Sequence, residues 1–268
     1  MATIEQNLQR WKVNYQWSDA GEEWSSDWGG SKAQWYGAIL PRIHPYLPTG
    51  TILEIAPGYG RWTDHLKNHC EKLIIVDLAE NCIEACQQRF ASEPKITCHV
   101  NDGKSLAMVP DNSIDFVFSF DSLVHAEADV IQSYLNQLAT KLKPTGFGFL
   151  HHSNLGAYSR SFSLEQKLPG RVRRKLIEHR LMDFSLWRAL SMSASLFRQY
   201  CDQAGLECIS QELVNWSTKR LIDCFSVITP KNELQKPTKL VIENRDFMRE
   251  AERIRRLAAP HREYKIES

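Results

Sequence analysis

The sequence has no long apolar run, no strong excess of charge of either sign and no paired cysteine spacing. None of its apolar runs reaches the roughly 18 residues that a spanning helix needs, so no membrane segment is expected. Its formal net charge is only +1, so no global field draws it to nucleic acid or an anionic lipid surface. The opening MATIEQNLQRWK has no apolar leader core. The seven cysteines are scattered and odd in number, with no C-x-x-C pair. That argues against a disulfide framework and a cysteine zinc site, and makes a reducing cytoplasm the expected setting. No internal repeat or low-complexity tract occurs. What is present is 268 residues, 43% of them apolar, enough for one large α/β domain with additions or two small domains.

The informative stretch is Thr51 to Asp64, TILEIAPGYGRWTD. Ile52-Leu53-Glu54-Ile55 has the apolar, β-branched composition of a strand buried on both faces. Pro57-Gly58-Tyr59-Gly60 breaks it, and a helix is expected over Arg61 to Asn68. Strand, glycine turn and helix form the first unit of a nucleotide-binding α/β sheet. A backbone without Cβ lets a ligand lie against the turn. The dinucleotide pattern G-x-G-x-x-G is incomplete, because Thr63 stands at the third glycine. That counts against a nicotinamide-dependent oxidoreductase. An acid, Glu54, sits inside the strand instead.

The resulting E-x-A-x-G-x-G, Glu54-x-Ala56-x-Gly58-x-Gly60, resembles motif I of the class I S-adenosylmethionine-dependent methyltransferases. The resemblance implies a cationic sulfonium cofactor, S-adenosyl-L-methionine, with Glu54 near its ammonium group. A second strand, Lys72 to Val76, ends at Asp77-Leu78, about 20 residues past the turn, where a ribose-binding acid is expected. A third, Ile96 to Val100, ends at Asn101-Asp102-Gly103, which resembles the family's adenine corner, with Asp102 facing the exocyclic amine. A fourth, Ser113 to Phe120, places Phe120 and Asp121 at the strand edge where open α/β sheets bind ligands. Leu138 to Leu150, LATKLKPTGFGFL, looks like the family's helix, P-x-G turn and fifth strand. The implied fold is a Rossmann-like α/β sheet of seven strands, mostly parallel with the last antiparallel, and helices on both faces.

Around that core the sequence predicts a helical cap over residues 1–49, a methyltransferase domain over 50–230 and a helical tail over 231–268. A polar, helical insert is expected at 155–192, with a basic cluster at Arg171, Arg173, Arg174 and Lys175. Ile4, Leu8, Trp11 and Tyr15 share a helical face. Trp17 to Trp28 is a loop with aromatic anchors, either a cap packed by its tryptophans or a lid over cofactor or substrate. A helix over 193–204 has Ser193 as N-cap and Gly205 just past its end. Leu206 to Val214 and Arg220 to Ile228 form the closing hairpin, and Lys239 to Leu257 an amphipathic helix. The tail suits surface packing or contact with a second copy of the chain.

Methyl transfer needs an aligned nucleophile and, for a hydroxyl, a base. The candidate bases at the fourth and fifth strand ends are Asp121, His125, His151 and His152. Neighbouring side chains on a strand point to opposite faces. One of the paired histidines should therefore reach the cleft, and His152, beside the loop, is favoured. A divalent metal such as Mg2+, held by Asp121, His152 and Asp223, is the alternative way to acidify a hydroxyl. No N-P-P-Y motif follows the fourth strand, which argues against amino groups of nucleobases or glutamine. The histidines and an aromatic rim (Trp24, Trp28, Trp35, Trp216) favour a saccharide hydroxyl as acceptor, as in bacterial sugar O-methyltransferases. Small-molecule N- or phenol O-methylation and a non-catalytic nucleotide-binding module are the competing readings.

Overall fold

A computed structural model describes residues 3–178, 187–232 and 239–261. The seven expected strands and one more form a single sheet in the order β3-β2-β1-β4-β5-β7-β6-β8. They are β1 Thr49–Ile55, β2 Cys70–Asp77, β3 Ile96–Val100, β4 Ile114–Ser119, β5 Leu142–Ser153, β6 Leu206–Val214, β7 Asp223–Pro230 and β8 Leu240–Asn244. Strands β1 to β5 pair in parallel, β7 runs antiparallel to both its neighbours, and β8 is parallel to β6. The sheet therefore has eight strands rather than seven. The added edge comes from Leu240-Val241-Ile242, an apolar run with β-branched Val241 and Ile242 inside the tail expected to be wholly helical. The helix follows later, at Phe247–Ala258.

The central strands are apolar on both faces because each face is covered. Val117, Leu53 and Leu150 pack under the helices Ala128–Lys141 and Ala194–Ala204. Ile52, Phe116, Phe118 and Phe149 pack on the other face under Trp35, Ile39, Leu66 and Phe247. Ser193 caps its helix by accepting from the Leu196 amide, and Gly205 ends it in the left-handed conformation, as its sequence predicts. The helix 128–141 runs directly into β5, so Lys143–Gly146 forms a bulged strand start rather than a free turn.

The cap contains a short helix, Ile4–Leu8, widened over Gln9–Asn14 into π-helical turns. Glu22–Trp28 is a 3₁₀ helix bounded by left-handed Gly21 and Gly29. In the insert, Ser159–Gln166 and Gly170–Glu178 are helical, and Arg171, Arg174 and Lys175 are exposed. The Arg173 side chain, residues 179–186 of the insert and 233–238 and 262–268 of the tail lie outside the described residues. Among the described residues, no helix is long and apolar enough to cross a membrane.

Candidate active site

A cavity of about 370 Å³ opens at the carboxyl ends of β1, β2 and β4, and the N-terminal segment covers it. Its floor is the turn after β1. Ala56 and Gly58 of this floor, and Gly60, which is packed behind it against Phe90 and is not in the cavity wall, all have positive φ (58°, 57° and 83°), a conformation that only glycine adopts without strain. A Cβ on Gly58 would stand 2.8 Å from Trp17, whose ring stacks on Tyr59 at 4.5 Å. The bare backbone is what lets a flat group approach the turn so closely.

Asp77 lies in the cavity wall at the end of β2. Its Oδ2 accepts from the Gly58 amide at 3.1 Å and its Oδ1 from the Ala79 amide at 2.8 Å. Burial pushes its carboxyl up to about 6. Leu78 and Gly103 continue the wall, with Ile4 of the cap against Gly103. Asn101 and Asp102 stand behind it. Asn101 accepts from the Gly103 amide and donates to Ser105 O and Tyr134 Oη. Asp102 Oδ1 accepts from the Lys104 and Ser105 amides at 3.0 and 2.7 Å, an Asx-type turn. The corner thus turns its glycine, not its acid, toward the cavity.

Glu54 is placed differently from expectation. It is buried beneath the turn and is not part of the cavity wall. Its Oε2 accepts from Thr63 Oγ1 at 2.6 Å, and burial pushes its carboxyl up to about 8. At neutral pH a protonated Glu54 shapes the turn from below and does not face a ligand's ammonium group.

The far end of the cavity is built by Phe120, Asp121, Ser122, His125, Arg188 and Trp216. Asp121 leaves β4 with φ 65°. Its amide donates to His151 Nδ1 at 3.0 Å, and its carboxylate lies 3.3 Å from Arg61 and 3.9 Å from Arg188. Because His151 Nδ1 accepts, its proton sits on Nε2, 3.3 Å from Asp223 Oδ2 but off the hydrogen-bond line. His151 therefore fixes the Asp121 backbone and has no lone pair to offer. Burial would raise the Asp223 carboxyl, but the Arg188 guanidinium outweighs it and holds the group down at about 2. Arg188 binds Asp223 through two donors, at 2.9 and 3.0 Å.

His152, the favoured base, points to the opposite face of the sheet. It stacks on Phe197 at 4.0 Å and bonds to Ser226 Oγ at 2.8 Å. Burial lowers it to about 4, so it is a neutral core residue. The proposed metal trio of Asp121, His152 and Asp223 consequently does not converge. Among the described residues no cluster of three or more His, Cys, Asp or Glu has metal-binding geometry. His125 does reach the cavity. Its Nδ1 bonds to Trp187 O, and burial, with Arg188 adding to it, lowers the ring to about 3. Nδ1 carries the proton, so Nε2 presents an open lone pair to the cavity.

Two buried arginines escaped the sequence reading. Arg61 directly follows Gly60 and was legible as the residue leaving the turn. Its Nη1 donates to Ser25 Oγ of the cap at 3.0 Å. Arg188 lies in the polar insert, where no spacing marks it. The tryptophan rim is also revised. Trp24 and Trp216 line the cavity together with Trp11 and Trp17, whereas Trp28 and Trp35 are fully buried core.

This arrangement agrees with the comparisons to known proteins. Residues 52–146 match a family model described as a methyltransferase domain. That segment is a methyltransferase domain. A 64-residue stretch is 34% identical to Ribosomal RNA small subunit methyltransferase A of Coxiella burnetii, covering 24% of each chain. A 118-residue stretch is 28% identical to Phosphoethanolamine N-methyltransferase 1 of Triticum aestivum, covering 42% of this chain and 24% of that one. The chain thus spans about a quarter of the length of these curated relatives. Among solved structures, the CcbJ methyltransferase from Streptomyces caelestis superposes with TM-score 0.53 at 14% identity, over 76% of this chain and 99% of that one. A SAM-dependent methyltransferase from Leishmania major gives 0.54 at 11% identity, over 84% and 82%. These structural likenesses carry the fold. In the methyltransferase domain, the glycine cradle and the Asp77 carboxylate suit a nucleoside lying across the ends of β1 and β2.

Proposed function

We propose that the protein moves a methyl group from S-adenosyl-L-methionine to a hydroxyl of a saccharide or related polar small molecule. Asp77, Leu78 and Gly103 would hold the nucleoside, and the turn at Gly58 would lie along the rest of the donor. The cofactor brings a methyl carbon already activated by sulfonium. The chain's own task is then to place a hydroxyl in line and remove its proton.

The observation that carries this reading is His125. One ring nitrogen is committed to the Trp187 carbonyl and the other is open to the cavity. A neutral imidazole in that state can orient a hydroxyl and take its proton at Nε2 as the new oxygen–carbon bond forms. Five tryptophans of the wall, Trp11, Trp17, Trp24, Trp62 and Trp216, offer apolar faces for a sugar ring and would exclude water from the reaction.

The test is turnover with isotopically labelled donor across saccharides, phenols and amines, alongside calorimetry with S-adenosylhomocysteine. Product on a saccharide hydroxyl, abolished in His125→Ala with donor affinity kept, supports the reading. Methylation confined to amines or phenols replaces the acceptor class. Absence of S-adenosylhomocysteine binding removes the whole reading.

A further inference from the structure

We propose that the acceptor carries an ammonium group, received by the part of the wall built from Trp11, Trp17, Trp24 and Glu23. This deepens, and rests on, the reading of the site as a hydroxyl methyltransferase. All four residues line the cavity and all come from the cap. The Trp11 ring centroid lies 6.0 Å from that of Trp17 and 6.1 Å from that of Trp24. Tyr15 closes the group from behind, 5.0 Å from Trp17 and 5.3 Å from Trp24. Electron-rich ring faces set around a carboxylate are the arrangement that binds alkylammonium groups.

Glu23 supplies the second observation. Its Oε1 accepts from Tyr15 Oη at 2.5 Å, whereas Oε2 is sealed from solvent and has no hydrogen-bond partner. A sealed carboxylate oxygen without a donor is costly. The two arginines in the wall do not fill this role. Arg61 bonds to Ser25 and Asp121, and Arg188 to Asp223. Glu23 lines the cavity, and a turn of its carboxylate toward the cavity would let an N–H of a ligand's ammonium group supply the missing donor.

The charge of the wall points the same way. It carries four acids, Glu23, Asp27, Asp77 and Asp121, against Arg61 and Arg188. The donor molecule brings one net positive charge, from an ammonium, a carboxylate and a sulfonium. That leaves room for a further cation. Its position is set by Trp11, whose ring lies 5.4 Å from that of His125. An ammonium bound among the indoles would therefore lie near the His125 ring, with a hydroxyl of the same molecule within reach of the base. Amino sugars and amino alcohols have this chemistry.

The experiment uses the full chain saturated with S-adenosylhomocysteine. D-glucosamine, ethanolamine and an aminoglycoside are titrated calorimetrically, each against its N-acetylated form, into wild type and Glu23→Gln. At least one amine is expected to bind about tenfold more tightly than its N-acetylated form. Glu23→Gln should shrink that ratio below about threefold, with S-adenosylhomocysteine affinity unchanged as evidence of folding. With a turned-over amine, Glu23→Gln should raise KM and leave kcat nearly constant. Equal binding of charged and acetylated forms, or a preference untouched by Glu23→Gln, overturns the proposal. So does a Glu23→Gln protein that loses affinity for S-adenosylmethionine but not for S-adenosylhomocysteine, since the wall would then serve the sulfonium. Turnover of neutral sugars alone removes this inference and leaves the proposed function standing. Failure to bind S-adenosylhomocysteine removes the function itself.

Discussion

Thr63 stands where a dinucleotide-binding turn would carry its third glycine, and its hydroxyl donates to the buried carboxyl of Glu54 at 2.6 Å. The two departures from the dinucleotide pattern are thus one feature. The acid inside the strand needs a donor, and the side chain at position 63 provides it.

This pair has a pH signature. Burial raises Glu54 to about 8, so the folded protein holds a proton there that the unfolded chain releases above its ordinary value of 4.5. Folded protein binds more protons across that interval, and Glu54 therefore lowers stability as pH rises from about 4.5 to 8. Glu54→Gln, which keeps an acceptor for Thr63, should melt higher than wild type at pH 8 and alike at pH 4. Thermal scans at both pH values check this, and a constant offset would contradict it. Thr63→Val removes the donor and should cost about 1–3 kcal/mol by chemical denaturation.

Asp77 is expected to govern donor affinity. Its carboxyl, raised to about 6 by burial, accepts from ligand hydroxyls fully only when ionised. S-adenosylhomocysteine affinity should fall as pH drops through about 6. Asp77→Asn should weaken binding about tenfold at pH 8 and flatten that pH dependence. Calorimetry at pH 5.5 and 8 reads both effects.

The paired histidines separate cleanly by experiment. His152→Ala removes a ring stacked on Phe197 and bonded to Ser226. It should cost about 2–4 kcal/mol of stability, with kcat near wild type in the folded fraction. His125→Ala should lower kcat at least about 100-fold in the folded fraction. Burial lowers both rings, to about 4 and about 3. Each therefore contributes stability above about 6.5 that is lost on acidification toward those values.

Gly58 and Trp17 form a steric pair. Gly58→Ala brings a Cβ to 2.8 Å from the indole at a φ of 57°, and should lower S-adenosylhomocysteine affinity by displacing the cap. Adding Trp17→Ala removes the clash, so the double variant should bind more tightly than Gly58→Ala alone. If the second change only worsens binding, the cap does not rest on the turn.

Much of this architecture was legible in the order of residues. Buried parallel strands read as unbroken apolar runs, so β1, β2 and β4 and the turn after β1 stood out. Strand β8 did not, because Leu240-Val241-Ile242 is short and merges with the helical periodicity that follows. Alternation showed that His151 and His152 part company across the sheet. It did not show which faces the cleft, since that depends on how the β5–β7 register sets the strand's face. Glu54 and Asp102 were recognised as important acids, but their hydrogen bonds to Thr63 and to the Lys104 and Ser105 amides turn them from the cavity. Arg188 owes its role to tertiary folding alone. It comes from the insert and meets Asp223 across 35 residues.

The crowding of indoles around one cavity has a practical side. Five of the eight tryptophans, Trp11, Trp17, Trp24, Trp62 and Trp216, border it. Their emission responds to local polarity and to neighbouring rings, so a molecule settling among them should change the protein's native fluorescence. The protein carries its own optical gauge of occupancy, readable without any attached dye.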